Sequence, residues 1–425
     1  MNTIQLYLSL PWEESPAYIG DLTYERIRGN EVYGIELSTD WLSRHRDIAL
    51  SGDVQNLSGK QYSSGKIFGF LADALPDRWG RRLIDKRERL LAIAEKREAR
   101  TLTDFDYLIQ LDDATRMGAL RLQADGGWLC LDKAQPIPPV TQLREFVDIA
   151  HRYEASEAEN KPIREQWIDN LFRQGSSLGG ARPKANVRDV DGTLYIAKIP
   201  SLSDDYDVAL WEHFAHELGR VAGVNTAQTQ LLTLEGVKYH TLLSRRFDRI
   251  GDQRIPFASA MTMCNLQDGA DASTGNGYPD IADVMMGGIP MANQMENLKQ
   301  LYRRIAFNIC IGNNDDHFRN HGFLLTKEGW TLSPAYDINP TNRREQSLLI
   351  TETTNESSLE ALLDGASLYM LHEQEARTII EEVTNAIKKW QQVATRCQIS
   401  KSEQERFAER LSVSHPTPQA KHTLS

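Results

Sequence analysis

The chain predicts an α+β fold, and three observations carry that expectation. Residues 1–62 alternate short β-like runs, such as Ile4-Gln5-Leu6-Tyr7-Leu8 and Tyr33-Gly34-Ile35-Glu36-Leu37, with turns, after which 66–111 read as helices. A strand-then-helix pattern occupies 193–222. Beyond Phe247 the apolar spacing becomes mainly helical, at 292–311, 359–363 and 373–393. Glycine and proline concentrate in 125–139, which serves as the boundary between an N-terminal α+β subdomain (1–125) and a second region (140–247). A mainly helical C-terminal region (248–412) and a polar tail expected to be disordered (413–425) complete the chain.

Within the second region a helix is expected over 163–173, followed by Gly175-Ser176-Ser177-Leu178-Gly179-Gly180-Ala181-Arg182-Pro183-Lys184-Ala185. Glycines let backbone N–H groups approach phosphate oxygens, and Arg182 and Lys184 add charge, although neither a Walker pattern nor G-x-G-x-x-G is present. In 193–200 the alternation places Lys198 on the face of Leu194 and Ile196, where a cation calls for an anion. The helix expected over 205–222 has the apolar stripe Val208, Trp211, Ala215, Leu218 and Ala222. Glu212 falls at the edge of that stripe, where a carboxylate is costly unless paired, which makes it the partner expected for Lys198; Glu217 points further away.

The chemistry concentrates in Asn313-Asn314-Asp315-Asp316-His317-Phe318-Arg319-Asn320, with Asp337 seventeen positions after Asn320. Asp315 and Asn320 stand at the Asp-x-x-x-x-Asn spacing of a protein-kinase catalytic loop. Phosphoryl transfer needs a base or positioner at the acceptor hydroxyl, and oxygen ligands that hold Mg²⁺ on the phosphates; Mg²⁺ takes few protein oxygens and fills its octahedron with phosphate and water. Asp315 is the candidate base, with Asn320 and Asp337 as candidate metal ligands. Asp316 is a competitor for the base role. The spacing alone arises by chance in polar turns, but the apolar run 305–312 ending at Gly312 suits a buried helix stopping at a loop. The flanks of Lys327-Glu328-Gly329 suit a hairpin, which would let Asp315 and Asp337 converge on one cleft.

Taken together, GSSLGGARPKA, YIAKIP, the Glu212 helix, LLSRRFDR and NNDDHFRN with YDI resemble the HipA family of toxin serine/threonine kinases. FGFLADALPDRWGRRLIDKR and Arg116-Met117-Gly118-Ala119-Leu120 extend the resemblance into the front half. It implies a two-lobed protein-kinase-like fold that binds ATP and Mg²⁺, with Asp315 catalytic, Asn320 and Asp337 on the metal, Lys198 on the ATP phosphates and Glu212 orienting it. Arg245 and Phe247 would line the adenine side, and Gly179 and Gly180 belong to the phosphate loop. Ser177, with Ser176 adjacent, matches a serine whose autophosphorylation switches the family's enzymes off. The resemblance also implies a protein substrate, with an aminoacyl-tRNA synthetase as the class it points to, and a helix-turn-helix antitoxin of the HipB type through which DNA is bound. His-Arg-Asp and Asp-Phe-Gly of eukaryotic kinases are replaced by Asn313-Asn314-Asp315 and Asp337-Ile338-Asn339.

Composition bounds these readings. The 425 residues suffice for two or three domains, and 25% charged with 40% hydrophobic residues is ordinary for a globular chain. The opening MNTIQLYLSLPWEESP lacks the pattern of a leader, and no 18-residue apolar run follows, so a cytoplasmic location is expected. Four widely separated cysteines argue against a disulfide or zinc framework, and His213, His216, His317 and His321 form no HExxH pattern. A net charge of −11 opposes nonspecific DNA binding by the whole surface, and the basic run 78–89 reads more readily as a solvated helix face than as a DNA contact. The alternatives to a protein kinase are a small-molecule kinase of the same fold and a catalytically silent antitoxin- or DNA-binding module.

Overall fold

The computed structural model describes residues 3–129, 137–159, 161, 163–175 and 182–412. They divide into two compact units: one of residues 1–209, 229–258 and 324–327, the other of 210–228, 259–323 and 328–425. Among the described residues no helix is long and apolar enough to cross a membrane.

Among the described residues the first unit holds two larger sheets and a two-stranded pair, Arg249–Ile250 with Gln253–Arg254. Six antiparallel strands lie in the order Lys60–Ser64, Asn30–Leu37, Ala17–Ile27, Thr3–Leu8, Leu120–Ala124, Gly127–Trp128. The alternation expected at its start is present, with Ile4, Leu6 and Leu8 buried on one face. The second sheet runs Lys184–Arg188, Leu194–Lys198, Thr241–Arg245, Thr229–Leu232. Residues on both sides of the expected 125–139 boundary share one core: Trp79 and Leu83 pack with Phe146, Ile168, Val187, Tyr195, Ala197 and Leu243. An ionic cluster joins them again. Asp248, fully buried, accepts bonds from the Gly118 N–H (2.7 Å), Arg246 Nη2 (2.6 Å) and Arg249 Nη1 (2.7 Å). Burial opposes its ionisation, but the two guanidinium charges win and hold the carboxyl well below the usual range.

The basic run reads as a solvated face. Helix Arg78–Ala94 is capped by Asp77, whose carboxylate accepts the Gly80 N–H at 2.6 Å. Arg81 pairs with Asp104 (2.9 Å), Arg82 and Lys86 with Glu157, and Arg87 with Asp169 (3.1 Å).

The second unit is mainly helical. Its central helix, Gln294–Ile311, buries Leu298, Leu301, Tyr302, Ile305, Phe307 and Ile309, and Leu359–Asp364, Glu373–Ile387, Trp390–Arg396 and Lys401–Ser412 follow. The stretch expected to be continuous over 373–393 is broken at Lys388 and Lys389, where the Lys389 N–H turns to the Ala386 carbonyl at 3.0 Å. The Glu212 helix spans Val208–Val221, and from Leu210 onward it belongs to this unit. Trp211 lies edge-on to Phe407 at 4.6 Å and donates to Glu403 at 3.2 Å. Of the expected hairpin, strand Gly329–Leu332 lies in this unit, and strand Gly322–Thr326 leaves it for the first unit at Leu324.

Candidate active site

The central helix stops where the sequence placed its end. Gly312 adopts φ 71, and its N–H and that of Asn313 both reach the Asn308 carbonyl, satisfying the last turn. A Cβ here would lie 2.2 Å from the Thr341 carbonyl oxygen, so glycine is required twice over. The chain then enters the polar segment 313–321, in which neighbouring aspartates face opposite ways.

Asp315 is exposed, whereas Asp316 is only 3% exposed. Asp316 Oδ2 accepts from Tyr278 Oη (2.7 Å), Asn308 Nδ2 (2.7 Å) and His321 Nε2 (2.8 Å). Burial raises the Asp316 pKa, but the charge of His321 and the bonds from His321 and Tyr278 outweigh it and keep the carboxyl below its ordinary value. A carboxylate so enclosed is committed to holding the segment, which leaves Asp315 as the one of the pair open to a ligand. Asn320 donates through Nδ2 to the Asp315 carbonyl at 3.1 Å, an orientation that spends its nitrogen and keeps Oδ1 for an acceptor role.

The segment carrying Asp337 is fastened to this one on both sides of that residue. Tyr336 Oη donates to the Arg319 carbonyl at 2.6 Å, and the Asn339 N–H donates to Asn313 Oδ1 at 3.2 Å. Further on, Thr341 donates through its N–H (2.9 Å) and hydroxyl (2.8 Å) to the Gly312 carbonyl. Asp337 itself takes φ 54, a left-handed conformation that aspartate tolerates at a small cost. A small cavity of about 10 Å³, room for a single water, is walled by both segments, through Asn313, Asp316, Asn320 and His321 on one side and Ala335, Tyr336 and Ile338 on the other. Asn320 and Asp337 offer hard oxygen donors, an amide and a carboxylate, which suits a Mg²⁺ ion that keeps most of its shell for phosphate and water. Among the described residues no group of three or more His, Cys, Asp or Glu side chains could hold a metal, so the histidines at 213, 216, 317 and 321 assemble no zinc-type site.

Glu212, in the same unit, is 4% exposed and lies 3.8 Å from His216 Nε2, while Glu217 sits nearer the surface and pairs with Arg220. In the first unit Lys198 ends strand Leu194–Lys198, partly exposed, on the face opposite the core residues Tyr195 and Ala197. Arg245 is exposed at the end of its strand, and Phe247 is partly buried with its ring 6.2 Å from that of Phe257. Ser176, Ser177, Gly179 and Gly180 lie outside the described residues. The two cations expected to add charge for phosphate are already occupied: Arg182 pairs with Asp204 at 2.7 Å, and buried Lys184 lies 3.8 Å from Asp77.

A family model, the HipA-like C-terminal domain, matches residues 176–391, just over half of the chain. The chain belongs to this HipA-like family. Among its relatives, a protein of Haemophilus influenzae provisionally named a kinase is 27% identical over 184 residues, which cover 39% of this chain and 53% of that protein. A serine/threonine-protein kinase toxin HipA from Shewanella oneidensis is 24% identical over 186 residues, covering 38% of this chain and 42% of that protein. The chain thus spans about half the length of the curated relatives it matches. A solved Shewanella oneidensis structure, of HipA and HipB with operator DNA, aligns over 96% of this chain and 95% of that one, with TM-score 0.65 and 15% identity. The likeness shows the α+β, kinase-like fold of HipA.

Three supports of this HipA-like segment were not singled out from the sequence: Tyr278, Tyr336 and Arg304. Arg304 had a signal, since it falls three residues after Leu301 and four before Asn308 on the buried face of the central helix, where a charge is out of place. Tyr278 had none, because it acts through a partner distant in the chain, whereas Tyr336 stood in the YDI motif with no role of its own assigned.

Proposed function

We propose that the chain is an ATP-dependent serine/threonine protein kinase of the HipA type, which transfers the γ-phosphate to a cellular protein and thereby inhibits growth. What most supports this reading is the stitching of the Asp337 segment to the Asp315–Asn320 segment by hydrogen bonds on either side of Asp337. In this reading Asp315 accepts the proton of the acceptor hydroxyl, a step that requires the exposed carboxylate. Asn320 Oδ1 and Asp337 hold Mg²⁺, which when bound offsets negative charge on the transferring phosphoryl group. Lys198, Glu212, Arg245 and Phe247 keep the roles that the family resemblance implies. Ser177, or Ser176 beside it, is the autophosphorylation site; a phosphoserine carries close to two negative charges and would repel the ATP phosphates.

The Shewanella structure with HipB and operator DNA supports a HipB-type antitoxin as the partner. The ion-paired state of Arg81, Arg82, Lys86 and Arg87 supports DNA contact through that partner rather than directly. The test is transfer of label from γ-labelled ATP by wild type and Asp315→Asn, with and without cell extract. Label in one extract protein, lost in the variant, is the expected result. Label only in small molecules would move the assignment to a small-molecule kinase, and no Mg²⁺-dependent nucleotide binding would end it. Mass spectrometry should find phosphate on Ser177 or Ser176 in wild type and not in Asp315→Asn.

A further inference from the structure

Arg304 is 3% exposed, an expensive position for a guanidinium. Burial lowers its pKa to about 10, with the Asp316 charge acting in the opposite sense. Its Nη2 donates to the Ser333 carbonyl, four residues before Asp337, while Nε and Nη1 make no hydrogen bond in the structure. The residue lines the cavity shared by Asp316, Asn320, Tyr336 and Ile338. For packing alone an apolar side chain of similar length would serve at lower cost. What the arginine adds is a directed bond to the strand end from which the Asp337 segment departs, together with a charge opposite to that of Asp316. Three residues further on, Tyr336 Oη ties the same segment to the Arg319 carbonyl, next to Asn320.

We infer that Arg304 and Tyr336 are positioning residues for the divalent ion: Arg304 anchors the Asp337 segment to the central helix, Tyr336 anchors it to the Asn320 segment, and the two tethers set the spacing of the two metal-ligating oxygens. The inference rests on the kinase reading and deepens it, because it assigns a metal-affinity role to two side chains that touch neither metal nor nucleotide.

The test uses the full chain and needs no turnover. Mn²⁺ affinity is measured by electron paramagnetic resonance in the presence of a non-hydrolysable ATP analogue, and analogue affinity is measured separately in EDTA. Arg304→Met should weaken Mn²⁺ binding about 10- to 100-fold, the range seen when supports of metal ligands are removed. Metal-free analogue affinity should stay within about twofold, since neither tether reaches the nucleotide in this assignment. Arg304→Lys, which keeps the charge and one donor, should recover part of the loss. Tyr336→Phe should act in the same direction and keeps the test available if Arg304→Met does not fold. Variants that are less heat-stable yet bind Mn²⁺ like wild type would show a merely structural role and overturn the inference alone. Wild type that binds no Mn²⁺ with the analogue would overturn the kinase reading and this inference with it.

Discussion

Asparagine substitutions at two adjacent positions, 315 and 316, should separate chemistry from stability. Asp316 Oδ2 collects three donors at 2.7, 2.7 and 2.8 Å in a site closed to solvent. A hydrogen bond to an ionised acceptor contributes about 1.5–3 kcal/mol and a neutral one about 0.5–1.5, so neutralising the acceptor costs roughly 1 kcal/mol per bond. For three bonds the loss is about 3 kcal/mol, more if the amide nitrogen turns toward the donors. Hydrogen exchange of the amides in helix Gln294–Ile311 reads this opening directly, and Asp316→Asn should lower their protection about 100-fold. Asp315→Asn should leave protection within about 0.5 kcal/mol, because the side chain is exposed and the bond from Asn320 goes to its backbone carbonyl. The same variant should lose about 10²–10⁴ in phosphoryl transfer. Because the Asp316 pKa is depressed in the fold, its contribution is fully present above the ordinary value of 3.8 and is lost as pH falls through the lower folded value. The gap between wild type and Asp316→Asn should therefore narrow as pH falls into the acid range. Unchanged protection in Asp316→Asn, or full activity in Asp315→Asn, would refute the division of roles.

Three further outcomes are expected. Asp248→Asn removes the charge between Arg246 and Arg249 and should cost about 3–5 kcal/mol in urea unfolding of the first unit. Gly312→Ala combines a left-handed backbone with a Cβ 2.2 Å from the Thr341 carbonyl, and should lower stability by about 2–5 kcal/mol in the same measurement on the second unit. Burial pushes the Asp77 carboxyl up to about 7, with the Lys184 charge 3.8 Å away and the Gly80 and Trp79 N–H groups acting in the opposite sense. The native state then holds a proton that the unfolded chain releases near 3.8, so this group's contribution falls as pH rises toward 7. Unfolding free energies of wild type and Asp77→Asn should diverge by about 1.4 kcal/mol per unit between pH 5 and 7, wild type losing; a constant difference would count against it.

Features set by near neighbours in the chain were readable before any coordinates. Lys198 stands on the strand face opposite Tyr195 and Ala197 because alternation is a two-residue property, and the central helix stops at Gly312 because only glycine there needs no side-chain room. The Asp315–Asn320 spacing was likewise a local fact. Which aspartate of the pair is buried was not, since it depends on Tyr278, 38 residues away, as well as on Asn308 and His321. Arg182, Lys184 and the cations of helix Arg78–Ala94 looked free as charges on a string, but the fold brings them Asp204, Asp77, Glu157 and Asp169. The tether from Arg304 to Ser333 likewise crosses 29 residues of chain. Periodicity reports only which way a side chain points; the partner that meets it there is chosen by tertiary packing, and in a buried site that partner decides whether a charge is spent on structure or kept for chemistry.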